Sequence, residues 1–104
     1  MDSAPAYQVL VSGRARDMLF EHARFLAQVS IRAAEELFNL FEEKVSTLEE
    51  IPERCPYYDN KYIHQKRYRK LTLGNNLLIL FQVVDFKVYV DLIIDARAEN
   101  KYLW

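Results

Sequence analysis

Six of the 14 cations of this chain are gathered in one short segment. Residues 54–70 hold Arg54, Lys61, Lys66, Arg67, Arg69 and Lys70 against a single acid, Asp59, whereas residues 1–53 hold 5 basic and 10 acidic groups. A segment of that kind is complementary to acidic groups on a partner. The formal net charge of the whole is −1, so there is no overall pull toward nucleic acid. Other chemistry-bearing residues are sparse. His22 lies in an apolar helical stripe with no Cys, Ser or acid at useful spacing, and it reads as a packed, hydrogen-bonded histidine. Glu42 and Glu43 are adjacent, so on a helix they point apart and make a poor metal site. Cys55 is the only cysteine. It permits neither an internal disulfide nor a cysteine-based metal site, and it suits a reducing cytosol.

The elements that must position these residues are read from periodicity. The stretch Leu77 to Asp95, LLILFQVVDFKVYVDLIID, reads as two strands joined by a tight turn at Asp85-Phe86. Alternation puts Leu77, Ile79, Phe81 and Val83 on one face of the first strand, and Val88, Val90, Leu92 and Ile94 on the matching face of the second. Tyr89, Asp91, Ile93 and Asp95 then take the opposite face. Upstream, Tyr7 to Ser12 is a short strand with Tyr7, Val9 and Val11 on one side. Ser12 or Gly13 opens a helix through Val29 whose stripe is Ala15, Met18, Leu19, His22, Phe25, Leu26 and Val29. Ser30 caps a second helix from Ile31 to about Ile51, ended by Pro52, with core positions Ala34, Leu37, Phe38, Leu40, Phe41, Val45 and Leu48. At 1.5 Å per residue that helix is ~30 Å long. Its outer face is acidic, and a two-residue joint folds the helices into a hairpin. Arg67 to Leu73 is another strand, with Leu71 and Leu73 toward the core and Tyr68, Lys70 and Thr72 away from it. Gly74-Asn75-Asn76 is a turn.

The expected fold class is therefore α+β: a two-layer β-α-α-β-β-β domain, its mostly antiparallel four-stranded sheet covered on one face by a helical hairpin. One domain over residues 1–104 suits the length. Hydrophobic residues make up 51% and charged residues 28%, an ordinary globular composition. No apolar run reaches ~18 residues free of charge, so no transmembrane helix or membrane partner is expected. The start, MDSAPAYQVLVSGR, lacks a basic opening and a long apolar region, so a signal peptide is not expected.

With these elements in order, the sequence resembles the RelE/ParE superfamily of type II toxin–antitoxin toxins, also called plasmid stabilisation proteins. The resemblance spans about residues 6–104. It rests on element order, on LEEIPERCPYY after the second helix, and on YRKLTLGNNLLILFQVVDFKVYVDLIIDARAENKYLW. It implies a cytoplasmic bacterial toxin that inhibits growth and is neutralised by a cognate antitoxin protein. It implies one of two targets. RelE-like members cleave mRNA on the ribosome without metal or other cofactor, and ParE-like members inhibit DNA gyrase. The alternative is a non-catalytic protein-binding module on the same fold.

Cleavage through a 2′-hydroxyl needs a group to activate that hydroxyl, a cation for the phosphorane charge and a donor for the leaving oxygen. By resemblance the catalytic candidates are Lys70 on the sheet, Arg97 after the last strand, Tyr102 near the C-terminus, and His64 as a loop base. Thr72 stands where the nuclease branch has a second lysine, and Leu77 or Leu78 where it has an arginine. Two cations of that pattern are thus missing. Asp91 and Asp95 would also repel phosphate on the same face unless paired. Arg97 has a plainer role available as the ion-pair partner of Asp95, and Tyr102 as a packed aromatic. Lys61, Lys66, Arg67 and Arg69 are the candidates for binding RNA or another target.

The face away from the helices collects Lys70, Thr72, Leu78, Leu80, Gln82, Val84, Tyr89, Asp91, Ile93 and Asp95 by parity. That mixture suits an antitoxin segment better than a nuclease cleft. Leu78, Leu80 and Tyr89, with Leu103 and Trp104 of the tail, are the expected antitoxin contacts. The segment would lie on this face or in the groove between helix and tail, with its acids against Lys61–Lys70.

Overall fold

The structure, a computed structural model, describes residues 7–59 and 66–97. Strand β1 is Gln8–Val11, helices α1 and α2 are Gly13–Ala27 and Ile31–Ser46, and strands β2, β3 and β4 are Arg69–Leu73, Leu77–Val84 and Lys87–Asp95. The sheet order is β1-β4-β3-β2. β1 runs parallel to β4, and the other pairs are antiparallel. The α+β architecture with a helical hairpin on the sheet is the one expected.

Both helices start where side-chain chemistry dictates. Ser12 Oγ accepts the Ala15 N–H at 2.9 Å, and Ser30 Oγ accepts the Ala33 N–H at 3.1 Å. Each satisfies one of the amides that a helix start leaves without a partner. The joint between them is Gln28-Val29-Ser30, one residue longer than expected.

α2 ends at Ser46, five residues short of the expected Ile51, and is therefore ~24 Å long. Hydroxyl side chains intervene: Ser46 Oγ donates to the Glu43 carbonyl at 2.7 Å, and Thr47 Oγ1 to the Lys44 carbonyl at 2.6 Å. Such bonds compete with the helical ladder. The chain tightens into a 3-10 turn at Thr47–Glu49, swings through Ile51 at φ 50°, and makes a second 3-10 turn at Pro52–Arg54. A β-branched residue in the left-handed region is strained. Arg54 holds the corner by donating to the carbonyls of Thr47, Glu50 and Ile51.

Between the sheet and the helices lies the main core. Ala15, Leu19 and Ala23 of α1 and Ala34, Leu37, Phe41 and Val45 of α2 pack on Leu73, Ile79, Phe81, Val88 and Val90. The alternation thus places β2, β3 and the first half of β4 as expected. Two departures stand out. In α1 the stripe does not reach the hairpin tip: Phe25 is 71% exposed and Val29 89%. Small Ala23 takes the inward position, continuing the row of Ala15 and Leu19 at four-residue spacing, and the large side chains are turned out.

The second departure is in β4. Leu80 pairs with Leu92 but Phe81 pairs with Val90, so Asp91 is an extra residue, a β-bulge. It reverses the parity of the strand beyond it. Ile93 joins the helix-side core, while Leu92 and Ile94, expected there, face the other way. Asp95, expected away from the helices, lies on the helix side.

The face away from the helices is also not open along its length. Leu80, Leu92 and Ile94 form a second buried cluster with Tyr58 and Tyr68. The chain around residues 56–58 pairs back on β2 to supply that cover. The Tyr58 N–H donates to the Tyr68 carbonyl at 2.7 Å and the Lys70 N–H to the Pro56 carbonyl at 3.0 Å.

Three substitutions check these assignments by thermal and urea denaturation. Phe81→Ala is expected to cost ~3–5 kcal/mol, because Phe81 is fully buried and leaves a large cavity. Leu80→Asp is expected to prevent folding, since it puts an unpaired carboxylate at a fully buried position. A soluble, cooperative Leu80→Asp variant would mean that the tyrosine cover is not in place. Ile51→Gly is expected to raise stability by ~1 kcal/mol, since Ile51 is exposed and its left-handed backbone favours glycine.

Candidate functional site

β2 presents its side chains to two different tasks. Arg69 points to the helix side of the edge and is consumed by structure. Its guanidinium donates to the carbonyls of Glu53 at 3.0 Å and Cys55 at 2.7 Å and to the Tyr57 hydroxyl at 3.0 Å. It also stacks over the Tyr57 ring at 4.1 Å. Lys70, next along the strand, is half-buried on the tyrosine face, opposite Leu80. Just upstream, Lys66 (φ 62°) and Arg67 are exposed, and the Arg67 guanidinium lies 5.4 Å from the Tyr68 ring centroid. Lys66, Arg67 and Arg69 line one concavity of about 390 Å³ with Tyr57, Glu53 and Asp85.

The centre of the tyrosine face is a hydrogen bond from the Tyr68 hydroxyl to the Asp91 carboxylate. Burial, and next the bond to that carboxylate, push the Tyr68 phenol above its ordinary value. Asp91 is the bulge residue of β4. Asp91 also borders a second concavity of about 280 Å³ with Ser12, Gln82 and Tyr89. Its charge is therefore engaged by a phenol, not by Lys70 or Arg97.

Arg97 sits elsewhere. Its guanidinium is paired with Asp95 at 2.8 Å, and its amide donates to the same carboxylate at 2.8 Å. The side-chain bond from Arg97, then the backbone bond, hold the Asp95 carboxyl down to about 2. The plainer role of Arg97, an ion pair with Asp95, is the one seen. Both residues line a groove of about 380 Å³ between the helices and the β2–β3 turn, with His22, Leu26, Leu37, Leu40 and Leu77. His22 Nε2 donates to the Ile93 carbonyl at 3.2 Å, satisfying the edge of β4 beyond the end of β1.

The sheet therefore separates the catalytic candidates. Lys70 is the second residue of β2, on the tyrosine face, and Arg97 is past the end of β4 on the helix face. His64 and Tyr102, the other two, lie outside the described residues, as do Lys61, Leu103 and Trp104. Of the expected antitoxin contacts on the sheet, Leu78 is half-buried and Tyr89 is 39% exposed. Leu80 is fully buried beneath the tyrosines, which corrects the expectation that it lines an open surface. Among the described residues no group of three His, Cys, Asp or Glu is placed to hold a metal ion. No helix among them is long and apolar enough to cross a membrane. Burial pushes the Cys55 thiol up, which makes it a poor nucleophile.

Sequence reasoning missed Tyr58, Tyr68 and Asp91 as one unit. The available signal was the crowding of tyrosines in CPYYDNKYIHQKRY, more than a polar loop needs.

The Asp95 pair gives a pH-dependent expectation. Its folded value is below the ordinary ~3.9, so the stabilisation is complete above that value and is lost as pH falls toward 2. A carboxyl-detected NMR titration is expected to place the Asp95 midpoint at about 2. In Arg97→Ala it is expected to return toward the ordinary value, and an unmoved midpoint would assign the shift to another neighbour.

No family model matches the chain, and no curated protein matches it. Among solved structures it is similar to a chain titled as the chromosomal ParDE toxin–antitoxin system from P. aeruginosa. The TM-score is 0.70 at 14% sequence identity, over 86% of this chain and 96% of that one. At that identity the likeness carries the fold: this chain has the four-stranded, two-helix fold found in a toxin–antitoxin system.

Proposed function

We propose that this protein is the toxin component of a type II toxin–antitoxin system, a single RelE/ParE-like toxin domain acting in the bacterial cytoplasm until a cognate antitoxin binds it. The observation that supports this reading is the fold likeness to a ParDE system chain, which extends over nearly the whole of both chains. It agrees with the element order and the C-terminal segment that carry the sequence resemblance.

On this reading the antitoxin meets the part of the tyrosine face that the protein leaves uncovered, at Leu78 and Tyr89, and brings acids to Lys66, Arg67 and Lys70. Leu80 contributes indirectly, by holding the tyrosine cover in place. The separation of Lys70 from Arg97 favours inhibition by binding a target such as gyrase over cleavage of ribosome-bound mRNA. A nuclease needs its cations on one scissile phosphate, and here the two lie on opposite faces of a sheet.

Expression alone in bacteria is expected to arrest growth, and the adjacent antitoxin gene to relieve it. Lys70→Ala and Arg97→Ala are each expected to keep toxicity, with supercoiling by gyrase inhibited and transcripts intact. Loss of toxicity in both variants together with cleaved transcripts would restore the nuclease reading. Normal growth at high soluble expression would favour the non-catalytic binding module.

A further inference from the structure

The outer face of the helical hairpin carries an aromatic pair in an ordered set of charges. Phe20 is 58% exposed and packs on the half-buried Phe38, ring centroids 5.2 Å apart, across the seam between α1 and α2. Helical spacing puts Phe20 on the outer side of α1, because Ala15, Leu19 and Ala23 take the inner one. An exposed aromatic alone needs no partner, but the charges beside this seam are sorted by sign. The row through Phe20 is Arg16, Phe20 and Arg24, four residues apart, and the row through Phe38 is Glu35, Phe38 and Glu42. Each aromatic is flanked by two charges of one sign, positive on α1 and negative on α2.

All four of these charged residues are exposed. Arg24 is paired with Glu21 of its own helix, and among the described residues Arg16, Glu35 and Glu42 make no ion pair. Asp17 lies farther round α1, and Arg32 farther round α2, where it pairs with Glu36. We propose that this face seats a second copy of the chain, the two hairpins stacking into a four-helix bundle about a two-fold axis parallel to the helices.

Such an axis keeps every residue at its own height along the hairpin and exchanges left for right. α1 of one copy then lies on α2 of the other, antiparallel. The Phe20–Phe38 contact sets those two residues at one height. Steps of ~5–6 Å along each helix, in opposite chain directions, set Arg24 level with Glu35 and Arg16 level with Glu42. Phe20 therefore packs on the partner's Phe38, while Arg24 faces the partner's Glu35 and Arg16 the partner's Glu42. A face with charges of one sign would repel its own copy, whereas this one carries both signs in the order that the axis matches. α1 and α2 are ~22 and ~24 Å long and ~10 Å wide, so the face offers ~460 Å² per copy. That is short of the ~800 Å² of a standard interface, so the dimer is expected to dissociate on dilution. The proposal does not depend on the toxin reading, and the face lies on the other side of the sheet from Leu78 and Tyr89.

Sedimentation velocity of the full chain over a concentration series tests it. The apparent mass is expected to rise from 12.4 kDa toward twice that value as concentration increases, and to fall back as salt is raised. Arg16→Glu and Phe20→Ser are each expected to weaken dimerisation about tenfold, with circular dichroism and Tm unchanged, because both residues are exposed. Arg16→Glu combined with Glu42→Arg in the same chain is expected to restore the dimer, since the pair re-forms with its signs reversed. Phe25→Ser, on another side of α1, is expected to leave it intact. Should Phe20→Ser not fold, the charge reversal and its rescue read alone. A monomer at every concentration would overturn the proposal. So would a dimer that Arg16→Glu leaves unchanged, a double reversal that stays monomeric, or a dimer that Phe25→Ser dissolves, which would move the contact to the groove under the hairpin tip.

Discussion

Asp91 is the extra residue in β4, and the two-sided character of the sheet depends on it. Before the bulge, Val88 and Val90 face the helices and Tyr89 faces away. Beyond it Ile93 faces the helices, and Leu92 and Ile94 face away. Without the bulge, strict alternation would have set Leu92 and Ile94 under the helices and left Ile93 and Asp95 on the other side. With it, both faces of the central strands carry fully buried aliphatic side chains, among them Ile79 on one side and Leu80 on the other. A sheet of that kind needs cover on both faces. Helices supply one layer, and the segment that ends in Tyr58 and restarts at Tyr68 supplies the other. The Tyr68–Asp91 bond joins that second cover to the bulge itself, so the residue that creates the apolar face also anchors what hides it.

This arrangement explains where binding surfaces remain. The tyrosine cover occupies the middle of the face that would hold a nuclease's cations, and Lys70 is left at its margin. Among the described residues, concave, solvent-facing surface includes the basic edge beside Tyr57, the nook by Ser12, Gln82 and Tyr89, and the groove at the hairpin. The second and third have visible causes. β1 ends at Val11 while β4 runs on to Asp95, and α1 turns its largest side chains outward near its end.

Much of the fold was legible because its determinants are local. Ser12 and Ser30 announce helix starts by the residues they cap, and the alternation from Leu71 to Val90 needs only period 2. Asp85, at φ 57°, suits the turn that its sequence neighbours predict. The failures share a different cause. A bulge changes no residue type, so the run VDLIID reads equally well in either parity, and only pairing with β3 decides. In α1, Ala23 is buried and Phe25 is exposed, a choice that apolar spacing alone does not make. The early end of α2 rests on Ser46 and Thr47 choosing carbonyls over solvent. Parity puts Leu80 on the face away from the helices, but its burial depends on Tyr58 and Tyr68, which are distant in sequence.

Charge counted along the chain likewise overstates what the surface offers at contact. Three guanidiniums are committed within the fold: Arg54 to three carbonyls at the corner after α2, Arg69 to two carbonyls and a phenol, and Arg97 to Asp95. Their charges persist, since arginine stays protonated, so the basic segment still draws an acidic partner over a Debye length. Their donor forks, however, are held by the protein. Among the described residues of that segment, Lys66, Arg67 and Lys70 are the cations left to turn toward an incoming carboxylate or phosphate. Long-range attraction and short-range recognition are thus carried by different subsets of the same basic run. Removing Arg54 or Arg69 would loosen the chain before it weakened any partner's grip.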